Sequence, residues 1–100
     1  MRFPFDLPIE WDWGKNRLLI QERGVSFQEV AEALHDETNI LDIFSHPNRK
    51  SYPHQTILVI KVRNYACAVP FVRDETKVFL KTIYKSRKFN EKYLPHHKRI

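Results

Sequence analysis

The residues whose side chains suit chemistry on a phosphodiester lie near the C-terminal end of the chain: Lys81, Arg87, Lys88 and Tyr93. Cleavage of RNA without a metal needs a base to activate the 2′-hydroxyl, an acid for the leaving oxygen, and cations beside the charge that develops on the phosphate. Arg87 is the strongest candidate, because a planar guanidinium can hold two phosphate oxygens at once. Tyr93 suits a proton relay or stacking on a base. The plain alternatives are a surface arginine beside a helix start and a tyrosine that packs on its own sheet.

Among the histidines, His54 is the candidate general acid or base, because it opens a predicted strand after a loop and imidazole exchanges protons near neutral pH. The alternative is an ordinary loop residue. The five histidines show no i, i+4 helical pair and no cysteine or carboxylate partner at ligand spacing, so we expect no metal site. Two glycines cannot form a glycine-rich phosphate loop, so we also expect no nucleotide cofactor.

Charge is sorted along the chain. Residues 1–48 hold four Lys/Arg against nine Asp/Glu, whereas residues 77–100 hold eight Lys/Arg against Glu91 alone. A strongly cationic C-terminal quarter favours a polyanionic partner, and nucleic acid is the usual one because neutralised phosphates release counterions. The alternative is a basic surface that serves solubility.

Length and composition favour a single domain. One hundred residues with 42% hydrophobic content can bury one core, so we expect one domain over residues 1–94 and a loose basic tail over 95–100. The single cysteine, Cys67, lies in an apolar run, where a buried small hydrophobe is expected rather than a nucleophile. No secretory signal and no membrane-spanning apolar run is recognisable, which predicts a cytoplasmic protein without a membrane partner.

Two helices in tandem are predicted near the N-terminus. Asp12 can cap a helix over residues 13–23, and Gly24 suits the left-handed position that ends it. Ser26 and Glu29 have the spacing of a capping box, which predicts that a second helix begins there. Apolar residues at positions 27, 30, 31 and 34 give this second helix one stripe that faces a core.

Strands are predicted after the helices. Residues 40–44 form a short β-compatible run, followed by a loop over 45–54 and longer strands over 56–63, 66–72 and 77–84. The short connections Asn64-Tyr65 and 73–76 predict antiparallel hairpins. Pro70 cannot donate a hydrogen bond to a ladder, so its strand is expected to be an edge there or to carry a bulge. A short helix is expected to begin near Ser86.

Alternation along the last strand predicts a cationic sheet face. Val78 and Leu80 share one parity and are expected to face the helices, whereas Lys77, Lys81 and Lys85 share the other. Lys61 and Arg63 can join this face from a neighbouring strand. The RNA-binding candidates from this pattern are Lys61, Arg63, Lys77 and Lys85.

Three segments together resemble the BrnT group of type II toxins, and more loosely the wider RelE/ParE-type toxin superfamily. Glu10-Trp11-Asp12 followed by Lys15 is similar to the opening of that group, and Gly24-Val25-Ser26-Phe27 follows at the same spacing. The ending is similar to the family's last strand, Ala/Ser-Arg-Lys motif and terminal tyrosine; here it comprises residues 79–83, Ser86-Arg87-Lys88 and Tyr93.

This resemblance implies an α+β fold in which two N-terminal helices pack on a four-stranded antiparallel sheet, with a short C-terminal helix. It implies an endoribonuclease that inhibits translation until an antitoxin of the ribbon-helix-helix type neutralises it, with operator DNA bound only through that antitoxin. Lys15 and the region of Arg87 are the positions that the resemblance carries over, so Lys15 joins the RNA-binding candidates.

A second hypothesis comes from another class of protein. A non-catalytic binding module would use the same basic half to engage nucleic acid or an acidic protein segment, and would show salt-sensitive binding without turnover. Inhibition of a topoisomerase, as in the ParE branch, is a variant of this hypothesis.

Overall fold

The computed structural model describes residues 6–94, and the tail expected over 95–100 lies outside the described residues. The described chain is an α+β fold with three α-helices, a 3-10 turn after the second helix and one sheet, and the predicted class is confirmed. The helices are α1 (Trp13–Arg23), α2 (Phe27–Ala33) and α3 (Arg87–Tyr93), and the 3-10 turn is Glu37–Asn39. The strands are β1 (Ile9–Trp11), β2 (Ile40–Ser45), β3 (Thr56–Val62), β4 (Tyr65–Arg73), β5 (Val78–Leu80) and β6 (Tyr84–Lys85).

Local capping fixes where each helix begins. The Asp12 carboxylate accepts a hydrogen bond from the Lys15 amide at 2.8 Å, which satisfies a donor that the first turn leaves unpaired. The capping box at α2 is formed in both directions, because Ser26 and Glu29 each accept from the other's backbone amide. Gly24 ends α1 at φ 67°, a conformation that glycine adopts without steric cost. The predicted helix boundaries in this region are confirmed.

The sheet has the order β1-β5-β4-β3-β2, with β6 pairing beside β4 beyond the end of β5. The hairpins β2–β3, β3–β4 and β4–β5 are antiparallel as predicted. The prediction of four antiparallel strands is otherwise wrong, because β1 pairs with β5 in parallel, Ile9 opposite Val78, and makes the sheet mixed. β1 has only three residues, which is too short for alternation to be recognised in the sequence.

The last predicted strand is divided opposite Pro70. Phe71 pairs with Leu80, but Ala68 pairs with Tyr84, so residues 81–83 face only residues 69 and 70. Pro70 contributes its carbonyl, which accepts from the Lys81 amide at 2.8 Å. The ladder is therefore irregular at Pro70, but the extra residue lies on the neighbouring strand and not, as predicted, on the strand of Pro70. This bulge also reverses the side-chain alternation beyond it.

Both faces of the sheet carry helices. The larger core lies between the sheet and the α1–α2 layer and contains Phe27, Val30, Leu58 and Leu80, all essentially inaccessible to solvent. A smaller core lies on the other face, where Phe89 and Leu94 from α3 and the residue after it pack on β2, β3 and β4. Within residues 6–94 there is no helix with the length and apolar character needed to cross a membrane.

Candidate anion-binding site

The cationic sheet face expected from the sequence is not formed. Because of the bulge opposite Pro70, Ile83 packs into the core beneath the helices, and Lys85 emerges on the same side as Ile83. Lys77 lies 3.8 Å from a Glu10 carboxylate oxygen, measured from its Nζ atom. α3 covers a large part of the opposite face. The predicted face requires side chains to alternate without interruption from Lys77 to Lys85. The bulge interrupts this alternation, which is the physical reason for the error.

Four cations instead follow one another from the bulge into α3. Their side chains are exposed, and no carboxylate of residues 6–94 forms an ion pair with any of them. We name this group the basic edge; it consists of Lys81, Lys85, Arg87 and Lys88.

The backbone of the basic edge is held in place by β4. The Lys81 amide bonds to the Pro70 carbonyl, and the Ser86 amide bonds to the Ala66 carbonyl at 3.0 Å. Four residues of β4 separate these two anchors, which corresponds to about 13 Å at the rise of a strand. Ser86 also caps α3 by accepting from the Phe89 amide at 3.1 Å. A span of this length suits several phosphates of one strand better than a single anion.

A cleft of about 300 Å³ adjoins the basic edge on the side of α1 and α2. Its apolar lining comes from Val25, Val62 and Cys67, and its polar lining from Arg63, Tyr65 and Lys85. No pattern in the sequence predicts that Val25, Tyr65 and Cys67 line one cleft. These residues come together only through the register of the β3–β4 hairpin, which places Cys67 opposite Ile60 and beside Lys85.

Arg63 stands at the rim of this cleft in an unusual backbone conformation. Arg63 and Asn64 have φ of 51° and 65° and form a two-residue turn, one position earlier than the predicted Asn64-Tyr65 turn. A left-handed conformation costs a residue other than glycine about 1–2 kcal/mol. The Arg63 guanidinium donates to the Gly24 carbonyl and pairs with Glu29. Lys85 is the cation of the cleft that has no carboxylate partner among residues 6–94.

Cys67 is not a nucleophile in this setting. Its side chain is buried, and burial raises the pKa of the thiol to about 11, while the positive charge of Lys85 opposes this with a smaller effect. The thiolate is the reactive form, and it is scarce at neutral pH. The predicted role of Cys67 as a buried small hydrophobe is confirmed.

The two predicted proton-transfer residues lie apart from Arg87. Tyr93, at the far end of α3, donates a short hydrogen bond to the Asp42 carboxylate of β2. This bond is the main reason why the pKa of the Tyr93 hydroxyl lies above its ordinary value of 10.0. His54 is exposed in the loop that precedes β3. The seven residues from His54 to Lys61, whose partner is Ala66, correspond to about 20 Å along the strand.

The remaining predicted RNA-binding residues are also dispersed. Lys15 lies half-buried in the first turn of α1. Lys61 is half-buried and borders a second, open cleft of about 610 Å³ beside α2, which also contains Glu29 and Glu32. Lys81, Lys85, Arg87 and Lys88 thus follow one another along the segment that β4 anchors, whereas the other candidates lie on other elements. In the described part of the chain, no three His, Cys, Asp or Glu side chains are grouped as metal ligands would be.

Comparison of the chain with protein-family models, curated proteins and solved structures gave no significant match. A function for this chain is therefore proposed from its own residues and their geometry.

Proposed function

We propose that this protein is the toxin of a type II toxin–antitoxin system and cleaves RNA as a metal-independent endoribonuclease. The basic edge carries this proposal. It presents four exposed cations without a carboxylate partner in residues 6–94: Lys81 and Lys85 along about 13 Å of strand, and Arg87 and Lys88 at the start of α3. Such an arrangement matches the repeated negative charge of a nucleic acid backbone.

The three motifs that resemble those of the toxin group lie at the starts of the three helices. Each motif contains the residue that caps a helix: Asp12 for α1, Ser26 for α2 and Ser86 for α3. The motifs therefore set the directions in which the helices leave the sheet, which explains why their order and spacing matter to the fold. Arg87 and Lys88 follow the third cap directly, so their backbone is fixed at the start of α3.

The proposed reaction is attack of a 2′-hydroxyl on the adjacent phosphorus. The new oxygen–phosphorus bond closes a 2′,3′-cyclic phosphate, the bond to the 5′-oxygen breaks, and the proton lost by the 2′-hydroxyl is balanced by one gained at the 5′-oxygen. Arg87 would hold two phosphate oxygens, and Lys85 and Lys88 would add positive charge beside them. Because His54 and Tyr93 lie elsewhere, the proposal gives most of the rate enhancement to this charge stabilisation.

An antitoxin would then act by covering the basic edge. The proposed partner is an acidic or ribbon-helix-helix antitoxin, and operator DNA would be bound through that partner. A negatively charged segment laid over Arg87 and Lys88 would exclude RNA by occupying its site.

A second function is favoured by one specific observation. His54 lies in the loop before β3 and Tyr93 is bonded to Asp42 at the far end of α3, so neither predicted proton-transfer residue is part of the basic edge. A non-catalytic module that binds RNA or an acidic protein segment needs no such residue. This is the alternative that the experiment must separate from catalysis.

The deciding experiment incubates the protein with labelled single-stranded RNA in excess chelator, with and without ribosomes. Arg87→Ala should lower the cleavage rate by about 100-fold or more, as loss of one charge-stabilising donor typically does. Arg17→Ala is the matched control, because Arg17 is an exposed arginine of α1 and should leave the rate unchanged. Salt-sensitive binding without products under either condition would establish the binding module, and absence of both binding and cleavage would refute an RNA function.

A further inference from the structure

The loop between β2 and β3 is a second place where cations and an exposed aromatic side chain lie together. Residues 46–55 read His-Pro-Asn-Arg-Lys-Ser-Tyr-Pro-His-Gln and contain no acidic residue. Acidic residues are also absent from a longer segment around the loop, because residues 43–73 hold five Lys/Arg and no Asp or Glu. The charge of the loop is thus not balanced by its neighbours in sequence.

The loop is built by its own hydrogen bonds. Asn48 accepts twice, from the Tyr52 amide at its carbonyl (2.9 Å) and from the Ser51 amide at its side chain (3.1 Å). The His46 amide donates to the Gln55 carbonyl at 3.0 Å and closes the base of the loop. The side chains of the loop are therefore carried on a defined backbone.

Tyr52 is the exposed aromatic residue of this loop. Its ring stacks on the His46 imidazole with centroids 4.4 Å apart and planes at 29°, yet 44% of the residue remains accessible to solvent. His46 thus supports one face of the ring, and the accessible surface leaves room for a second flat group. Arg49 and Lys50 are exposed and lie three and two residues before Tyr52 in sequence, respectively.

We propose that this loop is a stacking site for an unpaired base of RNA, with Tyr52 against the base and Arg49 and Lys50 against the flanking phosphates. This inference rests on the proposed RNA substrate. Stacking on an aromatic ring combined with backbone cations is the usual way in which proteins hold single-stranded nucleic acid without reading its sequence. An acidic protein segment would use the cations but not the supported ring, so the combination favours RNA.

The loop and the Arg87 end of the basic edge are separate contacts. The loop lies where β3 begins, whereas Ser86 joins the sheet at Ala66, opposite Lys61 near the end of β3. The intervening strand is about 20 Å long. One RNA strand that contacts both the loop and Arg87 would be aligned across the sheet, and the loop would bind a base remote from the phosphate at Arg87.

The test measures binding of a fluorescent 2′-O-methyl dodecanucleotide, which cannot be cleaved because its attacking hydroxyl is blocked. Tyr52→Ala should weaken binding by about tenfold, whereas Tyr52→Phe, which keeps the ring, should change it less than twofold. Arg49→Gln and Lys50→Gln should reduce the salt dependence of binding, and Arg17→Gln should not. An abasic oligonucleotide of equal length should bind Tyr52→Ala and the unsubstituted protein equally well.

Equal binding of the base-containing strand to Tyr52→Ala and to the unsubstituted protein would overturn the inference. It would also be overturned if Tyr52→Ala weakened binding of the abasic strand as much as binding of the base-containing strand. Failure of the wild-type protein to bind the oligonucleotide at low salt would overturn it as well. A parallel cleavage assay separates the two proposals. Arg87-dependent cleavage with no effect of Tyr52→Ala refutes the loop site alone, and Tyr52-dependent binding without cleavage refutes the ribonuclease alone.

Discussion

The guanidinium of Arg63 and the carboxylate of Glu29 lie 2.7 Å apart (Nε to Oε2) and join the β3–β4 turn to the first turn of α2. The same guanidinium donates to the Gly24 carbonyl, so one side chain connects the turn to the end of α1 and the start of α2. This contact fixes one wall of the cleft that contains Lys85.

We expect the Arg63–Glu29 pair to contribute about 0.5 kcal/mol, because both side chains are partly exposed and such pairs are weak in water. A double-mutant cycle with Arg63→Gln and Glu29→Gln measures this coupling by urea denaturation. Glu29→Gln keeps an oxygen that can accept from the Ser26 amide, so the capping box is retained. The coupling should decrease in high salt, and a coupling that is insensitive to salt would contradict an electrostatic origin.

Asn90 should be important for stability although it is polar. Its side-chain oxygen accepts from the Ala66 amide at 3.0 Å, and the residue is only 6% exposed. Asn90→Ala leaves a buried donor unpaired and should lower the free energy of unfolding by about 1–3 kcal/mol. Lys92→Ala, an exposed change on the same helix, should cost less than about 0.5 kcal/mol. An equal decrease in the free energy of unfolding for the two variants would show that the hydrogen bond of Asn90 makes no net contribution to stability.

The Tyr93–Asp42 bond predicts a loss of stability in alkali. The bond needs the protonated hydroxyl, and it raises the pKa of Tyr93 in the folded protein above the ordinary value of 10.0. A raised pKa gives stability that is complete below the unfolded value and is lost as pH rises through the folded value. The free energy of unfolding should therefore fall above about pH 10, less steeply in Tyr93→Phe. Parallel profiles for the two proteins would exclude this linkage.

Cys67 should react slowly with thiol reagents while the protein is folded. Burial is the main cause of its raised pKa, about 11, so the thiolate is scarce and enclosed at pH 8. Reaction with a chromogenic disulfide should become fast only in denaturant. Rapid reaction of the native protein would mean that the cleft beside Lys85 opens as far as the sulfur atom.

Gly24→Ala should destabilise the protein through its backbone alone. Gly24 has φ 67°, and a Cβ atom there would meet Lys85 Nζ at 3.9 Å, an ordinary contact. The expected cost is about 1 kcal/mol, and Gly24→Asn should cost less because asparagine tolerates this conformation. Thermal unfolding measures the stabilities of the two variants. If Gly24→Asn were less stable than Gly24→Ala, the cost would not be purely conformational.

Helix boundaries were predictable because their signals are local. Asp12, Ser26 and Ser86 each cap a helix through a bond to an amide three residues away, and such spacing can be read directly from the chain. The site was less predictable because it depends on register. A single extra residue opposite Pro70 moves Lys85 to the helix side of the sheet, and no alternation pattern records that shift. β1 likewise depends on a partner 69 positions away, Ile9 on Val78, which sequence periodicity cannot supply.

This pairing of β1 with β5 has a consequence for the order of folding. The hairpins β2–β3, β3–β4 and β4–β5 join neighbours along the chain, whereas β1 must close a loop that contains most of the protein. Long loops close at a higher entropic cost, so β1 docks last and detaches first. The Val78 amide, which donates to the Pro8 carbonyl at 2.9 Å, should therefore exchange its hydrogen well before the amides shared by β3 and β4. The outer edge of β5 is thus open to solvent in the earliest folded species and is closed by the first strand of the chain.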